Sequence, residues 1–576
     1  MRVKNFNSRL IKLQIAALYF TLIYLLFLTY QVSSWRIDTT HDGYVYLSAY
    51  LGTFGIYPPQ TANHHGIVAP FFESLIMNLS SSTFVATRYI GFVLIWLTAL
   101  MIYKIIALRC KKLTAGLFSM LWVSADPAWS RPVDQKYLHI QPTWPNLWIQ
   151  LLTLISLYLI LKNNSLKNIN QITLGVIVAT LPFIRIQGII SSCIIFFLVL
   201  ARIKNSRKRF IFTILGVAGF WLNLIQANGG IGKYFENIIL NPVTVDDYSP
   251  WRSLNAVFLT FIHRGNYYLV LFLLVISIVL LVPQVSVDKN FNAKLKLRFI
   301  IAMIITGLML LLIGRNQNSW LNSFYGNVRF LVIDLAVPIA IVFTTIFIWK
   351  ITSGNISKTS EIESVLIICA IMVITSAGYQ FPLADNGHKW WSTAISVIFL
   401  AFFLEYFKKT KQISGIKLPL KSTILIFSVA SIIFSLHEGV LFQKTPKLEI
   451  RDAATNNFSQ IKYPYEDTEL VNNLLISLKI LSNLEKSAIK INYICAEGLY
   501  YVRSNGYSPQ ARLGLNFTSK YDENYSVNFF CDSSLNKLPK SEGLKLITVG
   551  DKLRNVFIVQ NDNIEVINSI ERWIKS

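Results

Sequence analysis

Apolar residues fill long windows over the first three quarters of the chain, with polar residues gathered between them. Windows close to the roughly 17–25 residues that cross a bilayer core fall near 13–33, 84–108, 113–129, 144–161, 171–184, 188–203, 210–228, 266–283, 298–314, 328–349, 362–380, 391–407 and 422–440. The pattern predicts about thirteen transmembrane helices and a mainly α, polytopic membrane protein. Two windows, 171–184 and 188–203, are short and joined by Arg185-Ile186-Gln187. One long helix would hold Arg185 at mid-membrane, which is costly, so a tight reversal at the outer face is expected. Beyond the last window the periodicity changes. Apolar positions recur at helical spacing over 466–489, residues 491–495, 544–549 and 556–559 read as short strands, and 564–574 as a closing helix. The expected division is a transmembrane part, 1–441, with a polar outer loop at 34–83, and a small α/β domain, 442–576, outside the membrane.

Composition agrees with embedding. Of 576 residues, 53% are hydrophobic and 15% charged, and the mean hydropathy is +0.47, too apolar for a soluble globular chain. The net charge of +24 raises nucleic acid as a partner, but its distribution argues against one. Of 54 basic and 30 acidic residues, 17 and 15 follow Leu441, leaving 37 against 15 before it. The excess sits in short clusters between windows, at 2–12, 109–112, 202–209, 289–298 and 408–421, as the positive-inside rule requires. With the N-terminus inside, an odd span count puts the C-terminal domain outside, and the first window reads as a retained signal anchor. Spacing leaves open whether Cys495 and Cys531 pair.

The loop after the first window carries HDGYVYLSAYLGTFGIYPPQTANHHG. Asp42 stands nine residues past the span, with Asp38 four residues before it. If a helix follows, Tyr46, Tyr50 and Phe54 share one face, an aromatic band suited to the headgroup level. An acid there either caps the helix start or faces a reactant. His64 and His65 point apart on any backbone, which argues against a joint metal site, while one imidazole can meet a phosphate or cap a turn. Outer-side cations include Arg185 and Arg329, at the outer ends of apolar helices, where an arginine needs an anion. Asp134 and His388 lie in other outer loops.

An acid just past the first span, a tyrosine-rich helix, the Gly-Ile-Tyr-Pro turn at 55–58, a polar patch ending at Pro70, and Arg185-Ile186-Gln187-Gly188 together resemble the GT-C superfamily of membrane glycosyltransferases, among them protein O-mannosyltransferases and aminoarabinose transferases. The resemblance implies a polyprenyl-phosphate sugar donor, a lipid, protein or glycan acceptor, and a bacterial cytoplasmic membrane. It makes Asp42 the catalytic acid and matches His64-His65 to a place that meets the donor phosphate; Arg185 and Arg329, by their outer-face position, are further candidates for that phosphate, and Asp38, Asp134 and His388 are acceptor-side or second acidic candidates. Relatives often carry a lysine where His64-His65 stands, and some carry paired acids where His41 and Gly43 flank Asp42. No metal ligand is assigned, and dependence on a divalent metal stays open.

Two other classes share parts of the pattern. A polysaccharide polymerase or ligase would carry its large loop late in the chain. A transporter or flippase of lipid-linked saccharides would carry acids at mid-span and two halves with matching interruptions. The early loop and the acids gathered at the outer face favour transfer.

Overall fold

The computed structural model describes most of residues 19–31, 41–60, 66–79, 84–125, 145–162, 166–203, 207–236, 336–352, 361–377, 390–409, 448–450, 461–495, 500–507, 521–531, 535–539 and 542–575. The helices are α1 Tyr19–Leu28, α2 His41–Gly52, α3 Val68–Leu79, α4 Phe84–Ala107, α5 Lys112–Ser124, α6 Pro145–Lys162, α7 Asn168–Ile184, α8 Gly188–Arg202, α9 Arg207–Ala227, α10 Ile231–Phe235, α11 Ala336–Thr352, α12 Glu361–Ala377 and α13 Ala394–Lys409. Among the described residues α4, α6 and α9 are long and apolar enough to cross a membrane, while α1, α3, α7, α8 and the apolar stretches of α12 and α13 are shorter. The windows at 266–283, 298–314 and 422–440 lie outside the described residues.

Arg185 interrupts the helix with an extended backbone, φ −167° and ψ 154°, and α8 then folds back along α7. Ser192 donates its hydroxyl hydrogen to the Val178 carbonyl at 2.7 Å, and Gly188 sits so close to α7 that a Cβ there would meet the Leu181 oxygen at 2.0 Å. The reversal is therefore as expected. α9 returns parallel to α7, with the Trp221 indole N–H donating to Thr180 Oγ1 at 3.2 Å.

These packings give the bundle two unlike ends. At one stand the starts of α4, α6 and α8, the end of α7, and helices α2, α3 and α10. At the other stand Lys104, Arg109, Lys112, Lys162, Lys167, Arg202 and Arg207 to Arg209. The outer wall is apolar: Phe197, Phe212 and Leu215 are 66%, 68% and 62% exposed. Such a surface suits hydrocarbon better than water.

The C-terminal residues form a four-stranded sheet from β3 Ile491–Ile494, β6 Val527–Phe530, β7 Leu544–Val549 and β8 Asn555–Gln560, in the order β3-β6-β8-β7. Short antiparallel pairs join β1 Leu448–Glu449 to β2 Lys462–Tyr463 and β4 Val502–Arg503 to β5 Gly506–Tyr507. Helices α14 Thr468–Lys486 and α15 Ile564–Lys575 pack with the sheet. The strands and helices expected from the periodicity are present. β6 was not among them, yet it pairs parallel with β3 and antiparallel with β8. Because Ile494 faces Phe530 in the β3–β6 register, the next residues, Cys495 and Cys531, stand side by side and form a disulfide, with Cα atoms 5.2 Å apart.

One buried apolar cluster runs from α2 (Tyr46, Leu47, Tyr50, Leu51) through Met77 and Phe84 into this domain's core at Ile450, Leu474, Phe529 and Phe557. The expected aromatic band is thus corrected in part. Tyr46 and Tyr50 stack at 5.6 Å and Phe54 meets Tyr50 edge-on at 5.4 Å, but Tyr46 and Tyr50 are buried. The face packs against protein because protein offers it more contact than a headgroup layer.

Candidate functional site

α2 begins at His41, so Asp42 lies in its first turn. The next turn buries Tyr46, and that burial, with Tyr50 adding to it, pushes the Tyr46 phenol well above its ordinary value of 10. Tyr46 is therefore a neutral, buried contact of α2, stacked on Tyr50 and edge-on to Phe84. After α2, Gln60 N–H closes a turn on the Tyr57 carbonyl at 3.0 Å. Tyr57 is held from two sides: its N–H donates to Asn228 Oδ1 at 3.0 Å, and its hydroxyl meets Ser74 Oγ of α3 at 3.0 Å.

Gly66, the residue after His64-His65, docks onto the helix break. Its N–H donates to the Ile184 carbonyl at 2.8 Å, and a Cβ there would meet the Phe183 carbonyl oxygen at 1.9 Å. Only glycine lets the two backbones approach this closely. Tyr234 of α10 clamps the same place by donating its hydroxyl hydrogen to the Phe183 carbonyl at 3.4 Å. The first loop is thus pinned one residue from Arg185.

Arg185 is only 7% exposed and donates from a guanidinium nitrogen to Asn146 Oδ1 at 3.3 Å. Asn146 lies in the first turn of α6, which opens with Pro145 at the position where proline's missing N–H costs nothing. Glu73 and Arg88 are also buried at this end. Glu73 of α3, 1% exposed, accepts the Trp148 indole N–H at 3.4 Å. Arg88, also 1% exposed, lies over the Phe84 ring at 4.7 Å. Gln150 of α6 accepts the Ala394 N–H at 3.0 Å, tying α6 to the start of α13, where Trp390 stacks on Trp122 at 4.8 Å.

Of the residues expected from sequence, the structure brings Asp42 and Arg185 to the same end of the bundle. The backbone of Asp42 is described and its side chain is not; Asp38, His64, His65, Asp134, Arg329 and His388 lie outside the described residues. The sequence reading assigned no role to Glu73, Arg88, Asn146 or Gln150. The polar residues at 146, 150 and 153 share one helix face, and that spacing within an apolar window was visible in the sequence. Among the described residues no three His, Cys, Asp or Glu side chains gather as a metal would require.

No protein-family model matches the sequence, and no curated protein does. Solved structures that match include the Archaeoglobus fulgidus oligosaccharyltransferase in complex with zinc and sulfate (14% identity, TM-score 0.39, covering 73% of this chain and 53% of that one). The apo form gives 12% identity, a TM-score of 0.38, and 72% and 56% coverage. The oligosaccharyltransferase AglB in complex with an inhibitory peptide and a dolichol-phosphate gives 12%, 0.39, and 80% and 58%. This chain spans a little over half the length of those structures, and a superposition at that TM-score defines no shared fold.

Proposed function

We propose that the chain is a membrane glycosyltransferase of the GT-C type, moving a sugar from a polyprenyl-phosphate donor to an acceptor hydroxyl at the outer face of a bacterial cytoplasmic membrane. The observation that carries the reading is the composition of one end of the bundle: a helix opening on Asp42, a first loop pinned at Gly66 to the helix break, and a buried Arg185 at that break, with the basic clusters at the opposite end. This is the layout a water-soluble acid needs in order to meet an anionic, membrane-anchored reactant.

In this reading the Asp42 carboxylate takes the proton of the acceptor hydroxyl as its oxygen attacks the anomeric carbon. The bond from that carbon to the phosphate oxygen breaks, and polyprenyl phosphate leaves with the electron pair. The leaving group is already anionic, so it needs cations rather than a general acid, and Arg185, Arg329, His64 and His65 are the candidates. A single displacement inverts the anomeric centre. Asp38, Asp134 and His388 are candidates for the acceptor side. The acceptor is a lipid, protein or glycan, and a divalent metal would need ligands beyond the lone Asp42. The Cys495–Cys531 disulfide supports an oxidising compartment for the C-terminal domain, consistent with the side expected from the span count. In this reading the C-terminal residues, which share an apolar cluster with α2, shape acceptor entry.

Full-length protein in nanodiscs, supplied with labelled polyprenyl-phosphate sugars, tests the reading. Transfer that disappears in Asp42→Asn, with the melting temperature unchanged, supports it; equal turnover in that variant removes Asp42 from the role.

A further inference from the structure

Asn146 and Gln150 stand one turn apart on the same face of α6 and are 2% and 7% exposed. The orientation of each amide is fixed by a partner that can only donate. The Arg185 guanidinium requires the Asn146 oxygen, and the Ala394 N–H requires the Gln150 oxygen. The amide nitrogens therefore take the remaining positions, and among the described residues each is buried without a hydrogen-bond acceptor. Thr153 Oγ1, one turn further along the same face, is buried in the same condition. Buried donors normally find acceptors, and leaving them without one is costly, more so in an apolar bundle than in water.

The missing partner has a definite chemistry. Two N–H groups with Cβ atoms about 5–6 Å apart can reach oxygens of one small group, and among the described residues Arg185, which donates to Asn146, is the formal charge beside them. The buried carboxylate of Glu73 meets Trp148, which projects from the other side of α6, roughly 200° from both amides at 100° per residue. We propose that Asn146 and Gln150 present their amide N–H groups to an oxyanion, the phosphate of a ligand that lies beside the Arg185 guanidinium. The proposed function contributes only the identity of the lipid that carries the phosphate; the donor set stands without it.

Isosteric variants isolate the idea. Asn146→Asp keeps an acceptor for Arg185, and Gln150→Glu keeps one for Ala394, while each replaces the remaining donor with oxygen. The experiment uses full-length protein in nanodiscs and reads melting temperature and affinity for a polyprenyl monophosphate, with neutral polyprenol and inorganic phosphate as comparison arms. The lipid phosphate is expected to raise the wild-type melting temperature, polyprenol to leave it unchanged, and inorganic phosphate to compete. Each variant is expected to bind at least tenfold more weakly with its unliganded melting temperature retained. If Gln150→Glu does not fold, Asn146→Asp alone decides the matter. Wild-type affinity in a folded variant, or equal stabilisation by polyprenol, overturns the proposal. Phosphate binding through these residues in a protein that transfers no sugar would leave this inference standing and remove the functional one.

Discussion

The contact between Gly66 and the helix break can be tested by adding a single methyl group. In Gly66→Ala the new carbon would lie 1.9 Å from the Phe183 oxygen, 2.6 Å from its carbonyl carbon and 2.7 Å from the Ile184 carbonyl carbon. All three are backbone atoms near the end of α7, so no side chain can swing aside. Either the loop lifts and the Gly66 N–H loses the Ile184 carbonyl, or α7 and α8 separate at the Arg185 turn. Overpacking of this kind costs about 1–3 kcal/mol, and a buried N–H left without its acceptor adds about 1–3 kcal/mol, so a loss of about 2–6 kcal/mol is expected. Gly216→Ala is the control: α9 leaves open space around that position, and replacing a helical glycine is expected to stabilise by about 0.5–1 kcal/mol. Thermal unfolding of both purified variants in one detergent supplies the readout, and donor KM should rise in Gly66→Ala because the loop carrying His64 and His65 shifts. A Gly66→Ala protein that melts with wild type and keeps its KM would refute the close approach and the pinning of the first loop with it.

The remaining expectations are independent of that contact. Removing the disulfide by Cys495→Ala with Cys531→Ala, a sequence separation of 36 residues, should destabilise the C-terminal domain by about 4 kcal/mol on loop-closure entropy, seen as an earlier melting transition that reductant reproduces in the wild type. Gly188→Ala, whose Cβ would meet the Leu181 oxygen at 2.0 Å, should loosen the α7–α8 hairpin and lower the melting temperature; unchanged melting would argue against so tight a reversal. Orientation can be read with an impermeant thiol reagent on whole cells after Cys110, Cys193 and Cys369 are replaced. A cysteine at Thr61 should react and one at Lys208 should not, and the opposite result would invert the expected sidedness.

Much of the plan is written along the chain itself. Apolar windows and the basic clusters between them are local properties, so α4, α6, α9 and the unlike charge of the two bundle ends could be anticipated without coordinates. So could the break at Arg185, because an arginine between two short windows has only one inexpensive place to go. The α/β character of the C-terminal part followed from periodicity, although β6 escaped: four residues carry too little periodicity to be read alone, and their place in the sheet comes from pairing with β3 and β8. Periodicity also showed that Tyr46 and Tyr50 share a face but not what that face meets, and only the fold buried it in a cluster shared with the C-terminal domain. The same limit applies to the site. Asp42 and Arg185 could be chosen for their chemistry, yet their placement at one end depends on contacts between residues more than a hundred positions apart, and the docking of Gly66 on Ile184 and the fixed amides of Asn146 and Gln150 are decided by partners brought in by other helices. Local hydrophobicity sets which segments form helices; the non-local hydrogen bonds and close backbone approaches that arise once those helices pack determine which polar groups are left facing a ligand.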